Sequence, residues 1–477
     1  MFVLFGALFV NINYLQVLRA DELADDSRNT RTLIEEYELQ RGSMIVGSGN
    51  AQTEIARSVE TGGQYRFERR YPGEELYALI TGFYSIVYGR TELEQTANEL
   101  LVGDAPEAFG RNLSTFLSGR ERQGDDIVLT VQPAVQQAAQ EALGDREGAV
   151  VALNPQTGAI LAMYANPTYD PNRLSVFDRD AATQYWNTTE DARRNRALRE
   201  TYPPGSTFKL VTAAAALEDG VQPDDTFPDP QDYTPPLTTR SIPNFGGGLC
   251  NGGSPLTLTQ ALAVSCNTVF ARLGNQVGPE KLVAQAERFG LNQDFDSYLD
   301  IAASAIPADL DAPATAQSAI GQRDVRVTPL QMAMISGAIA NDGVMMQPRV
   351  IERVQQFDGR VVRELEPQTV SFGDSDSGQS ISSEAASALQ DMMRAVVADG
   401  SGGGAAIDGV DVAGKTGTAQ VAEGRNPTVW FTGFAPMDDP VVAVAVVVPD
   451  GGDVGAEATG GAVAAPIAGA VMEAALQ

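Results

Sequence analysis

The chain has no histidine, three lysines and two cysteines in 477 residues. Each shortage removes a class of chemistry. Without histidine there is no Ser-His-Asp triad, no Cys-His pair and no imidazole metal site. Two cysteines are too few for a thiolate zinc cluster. Of the 33 basic residues, 30 are arginine. Arginine stays protonated at physiological pH and cannot serve as a base. Burial and a cationic neighbour readily lower the pKa of a lysine. A nucleophile in this chain must therefore be activated by a lysine, a carboxylate or a tyrosine. The three lysines, Lys209, Lys281 and Lys415, are the first places to look.

Positive charge is scarce altogether. Against 62 acidic residues the net charge is −29. Nothing in such a chain would neutralise phosphates, so nucleic acid is excluded as a partner. Surplus carboxylate favours solubility and repels an anionic membrane surface. Salt adaptation and a coding preference for arginine both fit this balance. The apolar fraction, 43%, and the charged fraction, 20%, are those of an ordinary globular protein. The length allows two or three domains.

Long apolar runs are also missing, with one exception at the start. Residues 2–10 (FVLFGALFV) are continuously apolar, and Asn11, Asn13 and Gln16 dilute the stretch after them. A span needs roughly 20 apolar residues. No basic segment precedes the run, and no small-residue cleavage site comes after it. Residues 1–20 read as an uncleaved single-pass signal anchor, with the acidic body after Arg19 outside the cell. A cleaved signal peptide and an interfacial helix are the alternatives.

Further along, residues 21–60 are polar and charged, with a helix-like stretch at 30–40. Residues 74–102 mix aromatic and aliphatic positions and end in an amphipathic helical pattern. Their apolar density predicts a surface for a membrane partner or a second copy. A charged break at 120–124 marks a domain boundary. Residues 126–131 (DIVLTV) then read as a strand and 133–143 as a helix. Residues 148–163 read as a β-hairpin around Asn154-Pro155-Gln156-Thr157-Gly158. Residues 222–256 form an extended surface excursion, 367–381 a polar linker, and 383–397 a helix broken by glycines at 400–404. Strands and turns alternate to a closing helix at 460–473. The pattern predicts an α/β fold: an antiparallel sheet from distant parts of the chain, flanked by helices.

Two of the lysines sit in suggestive company. Ser206-Thr207-Phe208-Lys209 comes directly after Pro203-Pro204-Gly205 and opens an apolar helical run to Gly220. At a helix N-terminus, free N–H groups favour developing negative charge at Ser206. Lys209, three residues on, shares its face. A serine hydroxyl is a poor nucleophile until a neighbour takes its proton, and a lysine does so only with a lowered pKa. A second ammonium, Lys415, supplies that pressure. Taken alone, S-x-x-K also describes a helix cap beside a solvated lysine. Ser265-Cys266-Asn267 ends another helical run. Ser265 is placed to relay a proton, and Asn267 offers a donor and an acceptor to a substrate amide. A simple helix-end cap explains this triplet equally well. Lys415-Thr416-Gly417-Thr418 lies along a strand. Gly417 admits a substrate backbone, while Lys415, Thr416 and Thr418 offer a cation and hydroxyls to a carboxylate. The N–H groups of Thr418 and Ser206 form an oxyanion hole. Lys281 reads as a solvated helix position.

These motifs, in this order, resemble the penicillin-binding proteins, specifically the monofunctional class B transpeptidases. Tyr169-Asp170-Pro171-Asn172, Asn195-Arg196-Ala197, Ile320-Gly321-Gln322, Thr328-Pro329-Leu330-Gln331, AGKTGTAQ (413–420) and WFTGFAP (430–436) extend the likeness from about residue 125 to the C-terminus. The N-terminal part resembles the actinobacterial penicillin-binding protein A group. The resemblance implies a penicillin-binding/β-lactamase-like transpeptidase domain at 124–477 on a small pedestal or dimerisation-type domain at 21–123. It implies a serine-type peptidoglycan D,D-transpeptidase, with no cofactor and no metal. Ser206 is the acylated nucleophile, Lys209 its base, and Ser265 the proton shuttle. Asn267 holds the acyl-chain amide, and Lys415 with Thr416, Gly417 and Thr418 holds the terminal carboxylate. Stem peptides, β-lactams, the membrane and other cell-wall synthesis proteins are the implied partners.

The glycosyltransferase motif of bifunctional relatives needs histidine, so that activity is excluded. Residues 296–309 (DSYLDIAASAIPAD) contain neither glutamate nor asparagine and offer no β-lactamase deacylation motif. A D,D-carboxypeptidase shares the same motifs, and a β-lactam sensor or divisome scaffold needs no turnover at all. Outside the cell, Cys250 and Cys266 form either a disulfide or two free thiols. A closed loop of about 15 residues would contribute roughly 3 kcal/mol.

Overall fold

In residues 442–448 (VAVAVVV) every side chain is apolar, so neither face of such a strand can meet water. The computed structural model describes residues 2–15, 19, 36–106, 117, 122–372, 377–420 and 424–477. It places Val442–Val448 at the centre of a five-stranded antiparallel sheet. The order is Ala413–Ala419, Thr428–Ala435, Val442–Val448, Gly148–Leu153, Ile160–Asn166. The last two strands are the expected hairpin. Its turn is set by Asn154, whose Oδ1 accepts the N–H groups of Gln156 and Thr157.

Successive side chains point to opposite faces. Val150, Ala152, Phe431 and Val444 pack with Val135 and Ala139 of helix Pro133–Leu143 and Ile467 and Val471 of helix Ala464–Ala475. Val151, Leu153, Trp430, Phe434 and Ala445 pack on the other side with Met332 and Ile335 of helix Pro329–Ala340. That helix is buried at every position, and Thr328 caps it by accepting the N–H of Gln331.

A second sheet has six strands, in the order Val361–Glu364, Ile351–Gln355, Asp126–Leu129, Met44–Val46, Thr53–Glu60, Phe67–Arg70. Two of its strands therefore come from chain far beyond the N-terminal region. Beside it lies a buried ion cluster. Glu94 receives Arg41 Nε at 2.6 Å and Arg69 Nε at 2.7 Å, and Tyr71 donates to it at 3.1 Å. Burial pushes the Glu94 carboxyl up, but Arg69 and then Arg41 outweigh it and hold the pKa below the usual range.

The apolar residues of 74–102 do not form the exposed surface expected of them. Tyr77, Leu79, Ile80, Phe83, Tyr84 and Ile86 are all buried inside the chain. Their backbone is gripped by the larger region: Tyr169 OH donates to Ala78 O, Asn195 Nδ2 to Leu79 O and Gln136 Nε2 to Leu76 O. The expected amphipathic helix is two short turns, Glu92–Thr96 and Asn98–Leu101, broken at Ala97.

Helix Phe2–Asn13 exposes Leu4, Phe5, Phe9 and Val10. No helix among the described residues is long and apolar enough to cross a membrane. Part of the expected anchor, most of the helix-like stretch at 30–40, the start of the break at 120–124 and four positions of the linker at 367–381 lie outside the described residues.

Candidate active site

The turn Gly205–Phe208 is a 3₁₀ element, and helix Lys209–Glu218 continues from it. The single helix expected from Ser206 is thus preceded by a tighter turn, on which residues i and i+3 eclipse. Ser206 and Lys209 are brought to one face this way. Gly205 takes φ +53°, which an L side chain resists. The turn is tied down on three sides. Gly205 N–H donates to Gly321 O at 2.9 Å, Thr207 Oγ1 to Pro204 O at 2.8 Å, and Trp430 Nε1 to Pro203 O at 3.0 Å.

Lys209 and Lys415 are both completely buried. Lys209 Nζ donates to Ser265 O at 2.7 Å, Asn267 Oδ1 at 2.7 Å and Ser265 Oγ at 3.2 Å. Lys415 Nζ donates to the same Ser265 Oγ at 2.9 Å and to Thr416 O at 2.9 Å. One hydroxyl therefore bridges both amines. Burial, and then the charge of Lys415, push Lys209 well below the usual lysine range. Burial alone brings Lys415 down to about 7. No carboxylate offsets this at either lysine.

Ser265 reaches both amines because the chain reverses sharply there. Helix Leu258–Ala263 starts on a capping box between Thr257 and Gln260, and three residues separate it from helix Asn267–Val277. Between them Ser265 adopts φ +59°. A left-handed serine costs about 1–2 kcal/mol, tolerated where the surroundings fix it. One such tie is the Cys250–Cys266 disulfide, with Cα atoms 5.8 Å apart. It joins the glycine-rich stretch 246–253 (GGGLCNGG) to this turn. Asn267, expected to offer a donor and an acceptor to a substrate amide, already has one bond at each end: its Oδ1 accepts from Lys209 and its Nδ2 donates to Pro243 O at 3.1 Å.

The strand Ala413–Ala419 is the edge of the five-stranded sheet. Gly417 is also needed by the chain itself. A Cβ there would come within 2.8 Å of Pro204 O and 3.0 Å of Thr207 Cγ2. The backbone that approaches is the chain's own turn bearing Ser206. The Thr416 hydroxyl pairs with Ser401 Oγ at 2.6 Å, and Thr418 Oγ1 accepts Gly460 N–H at 3.3 Å. Lys281 stands apart, exposed and paired with Asp219.

Ser401 and Pro243 are site residues that the motifs did not single out, and Trp430, which opens WFTGFAP, was given no role there. Ser401 sits in the glycine break after helix Ser383–Ala398, and its N–H donates to Ala263 O at 3.1 Å. Among the described residues, Asp229, Cys250 and Cys266 are the one group of metal-ligating types that converge. Both sulfurs are spent on each other, and the Asp229 carboxylate accepts N–H groups from Cys250, Asn251 and Gly253.

Two family models match the chain. The penicillin binding protein transpeptidase domain covers residues 148–473, and the penicillin binding protein A dimerisation domain covers 41–127. The peptidoglycan D,D-transpeptidase PbpA of Mycolicibacterium smegmatis is 42% identical, over 100% of this chain and 97% of that protein. Its Mycobacterium tuberculosis namesake is 39% identical, over 98% and 96%. Among solved structures, the ceftriaxone acyl-enzyme of penicillin-binding protein A from M. tuberculosis superposes with TM-score 0.87 at 38% identity, covering 93% of this chain and 100% of that one. Another crystal structure of the same protein gives 0.85 at 37%, covering 92% and 100%.

Proposed function

Because the chain belongs to the penicillin-binding protein transpeptidase family, we propose that it is a peptidoglycan D,D-transpeptidase whose acylated nucleophile is Ser206. The observation that carries the roles is the convergence of two buried lysines on Ser265 Oγ, with no histidine in the chain. Burial and the second amine favour an uncharged Lys209, which can take the Ser206 proton as Oγ attacks the penultimate D-alanyl carbonyl. The carbon–nitrogen bond to the terminal D-alanine then breaks. Its nitrogen receives a proton through Ser265 Oγ, leaving an ester on Ser206. An amine from a second stem peptide attacks that ester, loses a proton to Lys209, and Ser206 regains its hydroxyl. Asn267 holds the acyl-chain amide through the second N–H of Nδ2, the first being given to Pro243 O. Lys415, Thr416, Gly417 and Thr418 line the carboxylate end.

The same reading assigns 21–123 to a pedestal and 124–477 to the transpeptidase domain. It places the catalytic region outside the cell, anchored through residues 1–20 and recruited by other cell-wall synthesis proteins. A disulfide beside the site fits an oxidising compartment.

The test is intact mass after incubation with benzylpenicillin, on wild type and Ser206→Ala. One persistent adduct on wild type and none on the variant is the expected result. An adduct cleared within seconds would make the protein a β-lactamase. An adduct on the variant would move the nucleophile elsewhere.

A further inference from the structure

Thr416 and Thr418, on one side of the strand Ala413–Ala419, are held by different chemistry. Thr418 Oγ1 accepts Gly460 N–H at 3.3 Å. An N–H only donates, so this bond occupies a Thr418 lone pair and leaves its proton to point elsewhere. Thr416 is 6% exposed, and its hydroxyl meets a second hydroxyl, Ser401 Oγ, at 2.6 Å. A hydroxyl donates and accepts, so this bond can run in either direction. An ionised carboxylate only accepts. With its proton given to Ser401, Thr416 would turn lone pairs towards such a group. With Ser401 donating, the Thr416 proton is free for the carboxylate. Two hydrogen bonds then run in series onto the charge, each polarising the next.

The backbone of Ser401 is seated independently of its side chain. Its N–H donates to Ala263 O, two residues before Ser265. A Cβ on Gly400 would run into the same Ala263 oxygen, and one on Gly461 would run into Ser401 O. The segment is thus lodged between the turn that carries Ser265 and the chain whose Gly460 N–H meets Thr418. Ser401 is itself an exposed residue, so water can satisfy its other lone pair and Ser401 is free to donate inwards. Removing its hydroxyl leaves the backbone ties in place.

We infer that Ser401 is a positioning residue: its hydroxyl donates to Thr416 Oγ1 and so aims the Thr416 O–H at the carboxylate of the acyl donor. This rests on the transpeptidase reading, in which Thr416 and Thr418 line the carboxylate end. Ser401 then gives Thr416 the polarity that Gly460 N–H already gives Thr418, and both threonines present protons to a group that can only accept them.

A double-mutant cycle tests this. Second-order acylation rates with benzylpenicillin are read by intact mass on wild type, Ser401→Ala, Thr416→Val and the double variant. Ser401→Ala should be slower than wild type by about tenfold. Ser401→Thr, which keeps the hydroxyl, should stay within about twofold of wild type. In the Thr416→Val background, Ser401→Ala should have no further effect, because the two residues act through one bond. With benzylpenicillin methyl ester, which carries no charge, Ser401→Ala should cost less than about twofold. A benzylpenicillin rate unchanged in Ser401→Ala would overturn the inference. So would the same loss with and without the Thr416 hydroxyl, or the same loss on acid and ester, since either would make Ser401 only a structural part of its loop. If benzylpenicillin leaves no adduct on wild type, the transpeptidase reading itself fails and takes this one with it.

Discussion

Lys415 Nζ donates to Ser265 Oγ at 2.9 Å although the two residues lie 150 positions apart. Ser265 stands between Lys415 and Lys209, so its hydroxyl links an amine on the sheet edge to an amine on the helix that follows Ser206. Ser265→Ala breaks that link while leaving the Lys209 bonds to Ser265 O and Asn267 Oδ1 possible. Removing a group that carries a proton in the transition state costs typically 10²–10⁴ in rate, so the benzylpenicillin acylation rate should fall by about 10² or more. A fall below threefold would remove Ser265 from the proton path.

Lys415 predicts a pH dependence with two distinct readouts. Acylation needs Lys209 uncharged and Lys415 charged, so the second-order rate should be bell-shaped, its alkaline limb starting near pH 7. The two amines share Ser265, so the limbs belong to the pair. Stability runs differently. Burial depresses the folded pKa of Lys415 to about 7, while the unfolded lysine titrates near 10.4. Between those values the unfolded state binds more protons, so stability rises with pH and reaches its full value above about 10. Below 7 the buried charge exacts its whole cost. Lys415→Met should therefore abolish acylation, raise stability at pH 7 by about 2 kcal/mol, and make the rise of Tm between pH 7 and 10 shallower, with the remaining slope coming from Lys209. A variant less stable than wild type at pH 7 would show that the hydrogen bonds of Lys415 outweigh its desolvation.

The side chains that meet in the candidate site were legible because their chemistry leaves few substitutes. In a chain of arginines, the two lysines that converge on Ser265 stand out, and serine spacing does the rest. Helix Pro133–Leu143 and the hairpin were legible from period and turn residues. Helix Pro329–Ala340 was marked only by the family motif Thr328–Gln331 at its start, because a helix buried all round has no polar face to mark its period. The apolar residues of 74–102 misled for a related reason. Apolar density says that a surface is covered, and Tyr169, Asn195 and Gln136, distant in sequence, are among the residues that cover it. Nothing local to Ser401 reveals that it faces Thr416, since only the sheet and helix Ser383–Ala398 together bring them to 2.6 Å.

Gly417 offers a test of how closely the nucleophile turn is seated. A Cβ at this position meets a carbonyl oxygen at 2.8 Å and a methyl at 3.0 Å, both on the turn that carries Ser206. Gly417→Ala should displace that turn, costing about 1–3 kcal/mol of stability, as overpacking does. Acylation should fall by at least tenfold as Ser206 moves away from Lys209. Thermal melts and acylation kinetics on the same preparation check both. A variant with full acylation and an unchanged Tm would mean the turn relaxes without consequence.

Glu94 tests the N-terminal sheet. Its carboxylate, fully buried, compensates Arg41 and Arg69, whose own side chains are 4% and 1% exposed. Glu94→Ala strands two guanidinium groups without water, a change that costs about 3–5 kcal/mol. The sign with pH comes from the depressed carboxyl. Its contribution is fully present above the ordinary carboxylate range and is lost as pH falls through the folded value, so wild type and variant should converge in acid. Urea melts at pH 7 and through a series of lower pH values measure this. A midpoint difference that never narrows as the pH falls, while the wild type stays folded, would mean that the variant's loss comes from packing, with no part due to the charge. Because the ion cluster sits beside the six-stranded sheet and Ser206 does not, benzylpenicillin acylation of the folded fraction should change far less than stability.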